Sequence, residues 1–139
     1  MTATLLRLFV TGALLFFVAA ATTQQSSPNL VASVTQLMRA MAVPASNALF
    51  DVARTPPKDD SEWAAIEDSA ALLAESGNLL MMPGRAENTA VWTKTSQAMV
   101  DAGATALRAA QARNLDAIIE AGNQIVDACE SCHEKHWIR

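Results

Sequence analysis

Apolar residues recur at spacings of three and four along four stretches of the chain, the period of a helix with one buried face. The first stretch runs from about Asn29 to Ala53, with Leu30, Val34, Leu37, Met38, Met41, Ala45, Ala48, Leu49 and Val52 in step. Pro44 lies inside it and has no N–H to give the carbonyl of Ala40, which predicts a kink or a break. Thr55-Pro56-Pro57-Lys58 stops the segment. Asp59-Asp60-Ser61-Glu62 opens the second stretch as an N-cap with an acid three residues on. Trp63, Ile66, Ala70 and Leu73 form its stripe, and Gly77 is the expected C-cap. Asn78 to Ala86 reads as a loop whose large apolar residues, Leu79, Leu80, Met81 and Met82, need a cover. The third helix is expected from about Glu87 to Ala112, with Val91 and Trp92 near its start. Its inward face is small: Ala98, Ala102, Thr105, Ala106 and Ala109. The fourth starts near Asn114 and runs to the carboxyl terminus. Its stripe is Leu115, Ile118, Ile119, Gly122, Ile125, Val126, Cys129, Cys132 and His133.

No strand-like alternation and no internal repeat interrupts this pattern. Four amphipathic helices with short connections predict an all-α fold, an antiparallel up-down-up-down four-helix bundle. Composition agrees. Glycine and proline number only five each in 139 residues, and alanine is abundant. Hydrophobic residues make up 51% and charged residues 17%, which excludes a disordered chain. A net charge of −4 gives no electrostatic footprint for nucleic acid. Neither a Ser/His/Asp arrangement nor a nucleotide loop is present, so nothing predicts an enzyme.

The amino terminus changes the setting. Arg7 precedes an apolar run from Leu8 to Ala21, the length of a secretory h-region and short for a membrane span. Small residues in Val18-Ala19-Ala20-Ala21 suit a cleavage site, and the polar Thr22 to Ser27 follow. Residues 1–21 therefore read as a signal peptide and residues 22–139 as one exported domain, expected in the periplasm. There, a bare thiol pair tends to oxidise.

Both cysteines of the chain fall in Cys129-Glu130-Ser131-Cys132-His133, a C-x-x-C-H sequence. This is the attachment signature of haem c. Two thiols three apart lie on one side of a helix and can add across two vinyl groups on one porphyrin edge. His133 shares that side and can bind the iron. A dithiol redox site belongs near a βαβ pattern, which is missing. A zinc site drawing Cys129, Cys132, His133 and His136 from two turns of one helix cannot surround a tetrahedral ion.

A four-helix pattern ending in this motif resembles the class II cytochromes c, the cytochrome c′ family. The specific match is confined to the last helix and the first. The resemblance implies a periplasmic monohaem protein with Cys129 and Cys132 as thioethers and His133 as the proximal iron ligand. Members with a methionine on the first helix as sixth ligand transfer electrons; most others have five-coordinate iron and bind NO or CO. By that correspondence the distal residue here is Met38, with Met41 second. A thioether raises the haem potential, which suits one-electron transfer with periplasmic redox proteins. Many members carry an arginine four residues before the distal position, near a haem propionate. That place holds Val34 here, leaving Arg39 and Arg85 as propionate candidates. His136 stands where the family often has an aromatic residue, and it adds a titrating group. The tryptophans Trp63, Trp92 and Trp137 are expected to pack and carry no assigned role. The family also often forms homodimers through its first two helices.

Overall fold

The computed structural model describes residues 29–85 and 90–136. The expected signal peptide and Trp137 lie outside the described residues. Every regular element among the described residues is helical: α1 (Val34–Leu37), a π-helical turn (Met38–Ala42), α2 (Val43–Asp51), α3 (Asp60–Leu80), α4 (Ala90–Gln111) and α5 (Leu115–His133). The first three run on as one segment, so the described residues form four helical units, an arrangement compatible with a helical bundle. None of these helices is long and apolar enough to cross a membrane.

The first segment begins later than its apolar period suggests. Leu30 precedes the helix, and Ser33 caps it. The Ser33 hydroxyl accepts the Gln36 N–H at 3.2 Å, while the Gln36 side chain accepts the Ser33 N–H at 2.8 Å. This reciprocal box satisfies two donors that a helix start otherwise leaves open.

Pro44 does not break the segment. It sits in the first turn of α2, directly after the π-helical turn. A proline ring collides with the carbonyl four residues back and leaves it without a donor. The chain accommodates this by widening one turn: the Val43 N–H donates to the carbonyl of Met38, five residues back. Such single wide turns are rare and cluster at functional sites.

Asp59 caps α3 as expected, accepting the Glu62 N–H at 2.9 Å. The Glu62 carboxylate takes the Lys58 N–H at 2.6 Å, one residue before the cap. Gly77, in contrast, is not a C-cap. It is buried inside α3, which continues through Leu79 and Leu80 to a C-cap at Met81. Only Met81 and Met82 of the apolar four lie in the following loop.

Glycine is required at position 77 for approach. A Cβ there would stand 2.6 Å from Val100 Cγ2 and 2.8 Å from the carbonyl oxygen of Ser96 on α4. Gly103 repeats the arrangement from the other side, where a Cβ would meet the Ala74 nitrogen at 2.7 Å. These contacts and the buried alanines 102, 106, 109 and 110 bring the two helix backbones together.

Residues 86–89 are not described, so the expected start of α4 at Glu87 is not seen. The buried line of α4 runs Trp92, Thr95, Ser96, Met99, Ala102, Gly103, Ala106, Ala109 and Ala110. That line takes in two hydroxyl residues that the hydrophobic pattern passed over. Val91 is turned outward.

Asn114 caps α5, accepting the Ala117 N–H at 3.0 Å. Arg113 precedes it with φ 51°, the left-handed position that closes α4. The buried face of α5 is Ile118, Ala121, Gly122, Ile125 and Ala128. Ile119 and Val126, expected on the stripe, are 41% and 40% exposed. They border a shallow surface groove with Phe50. The helix ends at His133, short of the carboxyl terminus.

Candidate functional site

One end of the core is hollow. Its wall is built by the π-helical turn, the carboxyl end of α3, the first half of α4 and the last turns of α5. A first cavity of about 60 Å³ is lined by Met38, Leu73, Leu80, Met99, Cys129, Cys132 and His133, among others. A second, of about 120 Å³, is lined by Val34, Met38, Leu80, Trp92, Cys132, His133 and His136. The two share Met38, Leu80, Cys132 and His133.

The structure brings four of the residues singled out by sequence to this hollow. Cys129 is half-buried and packs against the core. Burial pushes its thiol above the ordinary range, and the neighbouring Cys132 and Glu130 add to the effect. Cys132 follows three residues later, also half-buried, and lines both cavities. His133 lines both as well, from an exposed position at the end of α5. Met38 enters from the wide turn and is half-buried.

Met41 is not among the residues lining either cavity. Like Met38, it packs against the hydrophobic core. The geometry therefore separates the two methionines that sequence reasoning held as first and second choice.

The two arginines do not line the hollow. Arg39 is exposed. Arg85 ties the loop after α3 to the start of the first segment: it donates to the Leu79 carbonyl at 2.7 Å and to the Ala32 carbonyl at 3.1 Å. Gly84 beside it, with φ 84°, turns the loop so that it passes over Leu30. Arg85 thus helps to cover the apolar loop.

His136 stacks edge-on against Trp92, ring centroids 5.3 Å apart. Trp92 is 2% exposed and donates its indole N–H to the Leu80 carbonyl at 2.9 Å. That carbonyl belongs to the last turn of α3, where no helical donor remains for it. Trp92 therefore fixes the wall between α3 and α4, and Trp63 packs half-buried at the core edge.

Sequence reasoning missed three hydroxyls on the cavity wall: Ser46, Thr95 and Ser96. Ser46 donates to the Val43 carbonyl at 3.1 Å and Thr95 to the Val91 carbonyl at 2.9 Å. Ser96 has no partner. Their signal was positional, since residues 95 and 96 fall three and four after Trp92 on the buried period.

The chemistry of the wall is soft. Two thiols, two imidazoles and the thioethers of Met38 and Met99 line these cavities, with three hydroxyls among otherwise apolar side chains. Among the described residues, no three His, Cys, Asp or Glu side chains converge to hold a metal ion by themselves. Comparison with family models, curated proteins and solved structures finds no match.

Proposed function

We propose that the chain is an exported monohaem c-type cytochrome that carries single electrons between periplasmic redox proteins. In this reading Cys129 and Cys132 would hold haem c through thioethers, and His133 and Met38 would bind its iron. The observation that carries it is the meeting of Met38 with the C-x-x-C-H residues on one cavity wall. The residues present fit the group. The hollow is mostly apolar, its two thiols lie three apart on one helix, and sulfur and imidazole are established haem ligands.

When bound, haem supplies a reversible one-electron couple. The chain's own residues do the rest. Cys129 and Cys132 anchor one edge to α5. Leu73, Leu80 and Met99 exclude water, and a low-dielectric surrounding tunes the potential. Met38, presented by the wide turn, offers the thioether that favours the reduced state. No residue of the site is asked to move a proton, so the protein acts as a carrier and not as an enzyme.

The finer architecture follows the same reading: an antiparallel up-down-up-down bundle of the cytochrome c′ type. Two relationships support it. Trp92 at the start of α4 bonds Leu80 at the end of α3, and Arg113 after α4 pairs with Asp60 at the start of α3.

Expression in a host with haem-maturation machinery tests the proposal. The expected product is coloured and keeps its haem through acid–acetone extraction. A colourless, folded product would contradict it.

A further inference from the structure

Ser96 is the unusual group in the hollow. Its residue is 2% exposed, it lines the first cavity, and its Oγ has no hydrogen-bond partner. The other two hydroxyls of that wall are satisfied by backbone carbonyls. A buried hydroxyl without a partner is unfavourable by roughly 1–3 kcal/mol, so its presence asks for an explanation. The backbone around it is held firmly. Gly77 lets α3 lie directly on the Ser96 carbonyl, within a distance no side chain would allow. Ser96 is thus a buried hydroxyl on the wall that it shares with Met38 and the thiols.

We propose that Ser96 is the hydrogen-bond donor of this cavity, and that it selects small linear ligands carrying negative charge on their outer atom. The inference rests on the haem placement proposed above. Donors in a haem pocket decide which small ligands are held and which are indifferent. In a dry surrounding a single hydroxyl discriminates strongly, because an anionic acceptor strengthens the bond and water cannot compete. Met38 shields the site in the native chain, and Ser96 becomes the deciding contact when that thioether is displaced.

Cyanide and carbon monoxide make the test. They share shape and size and differ in the charge of the outer atom. The parent is the haem-loaded Met38→Ala protein, compared with the same protein carrying Ser96→Ala or Ser96→Thr. Ser96→Ala is expected to weaken cyanide binding to the oxidised protein roughly five- to tenfold. Carbon monoxide binding to the reduced protein should change less than about twofold, since a neutral outer atom accepts only weakly. The C–O stretch should rise when the hydroxyl is removed. Ser96→Thr, which keeps the hydroxyl, should restore cyanide affinity. Equal changes for both ligands, or none for either, would overturn the role of Ser96 and leave the haem reading standing. A colourless Met38→Ala parent with intact helix content would overturn both.

Discussion

Met38 and His133 line the same two cavities, although 94 residues separate them in the chain. One comes from a widened turn in the first helical segment and the other from the last residue of α5. The widened turn exists because Pro44 cannot donate to Ala40. A proline thus shapes the local backbone that presents a thioether to the site.

The two methionines of that turn should behave differently. Met41 packs against the core and does not line the hollow. Met41→Ala is expected to lower stability by about 1–3 kcal/mol, less than a fully buried methionine would, with the haem spectrum unchanged. Denaturant titration and an absorption spectrum of the variant check both halves.

Close approach of α3 and α4 gives a second prediction. Gly103→Ala drives a Cβ to 2.7 Å from the Ala74 nitrogen, and Gly77→Ala drives one to 2.8 Å from the Ser96 carbonyl. Backbone atoms cannot move aside as a side-chain tip can. Each substitution should destabilise by about 1–3 kcal/mol or more, despite the helix-favouring alanine. A midpoint in urea that matches the parent for both variants would contradict the packing.

How much of this was legible in the chain? The four helices, the Asp59 cap and the C-x-x-C-H motif at the end of α5 were read directly. Each depends on local rules, a period or a spacing, that neighbouring residues alone satisfy. Gly77 was misjudged because a glycine near the end of a periodic stretch resembles a cap; its real reason lies on another helix, at Val100 and Ser96. Leu79 and Leu80 then went to the loop by the same error. Thr95 and Ser96 were passed over because hydroxyls do not register in a hydrophobic pattern. The proline was seen to disturb its helix, but an apolar period does not say whether the helix breaks or widens by one turn, as it does at Met38–Ala42. Resemblance favoured Met38 over Met41, and only the three-dimensional wall gave a geometric reason.

Cys129 supplies a prediction about pH. Its thiol is raised above the ordinary range by burial first, then by Cys132 and Glu130. A thiol raised in the folded state is favoured there in its protonated form. Its contribution to stability is therefore intact below the ordinary thiol pKa and is lost as pH climbs through and beyond it. In haem-free protein, iodoacetamide at neutral pH should modify Cys129 slowly, because the thiolate is the reactive form and burial disfavours it. Peptide mapping after timed alkylation reads the rate, and Cys129 reacting as fast as a thiol in the unfolded chain would contradict it.

Trp92 joins two walls of the site through one hydrogen bond. Trp92→Phe keeps a ring against His136 but leaves the Leu80 carbonyl without its donor at 2.9 Å. The expected loss is about 1–3 kcal/mol of stability. Thermal unfolding followed by circular dichroism measures it; a variant as stable as the parent would mean that another donor serves that carbonyl.

The most direct test of the central claim is the absorption spectrum of the oxidised holoprotein beside that of its Met38→Ala variant. The account predicts a low-spin parent with a methionine-to-iron charge-transfer band near the red end. The variant should lose that band, become high-spin and show a lower reduction potential. A parent that is already high-spin and takes up carbon monoxide without displacing a ligand would contradict the Met38-ligated carrier and favour a five-coordinate, gas-binding protein instead.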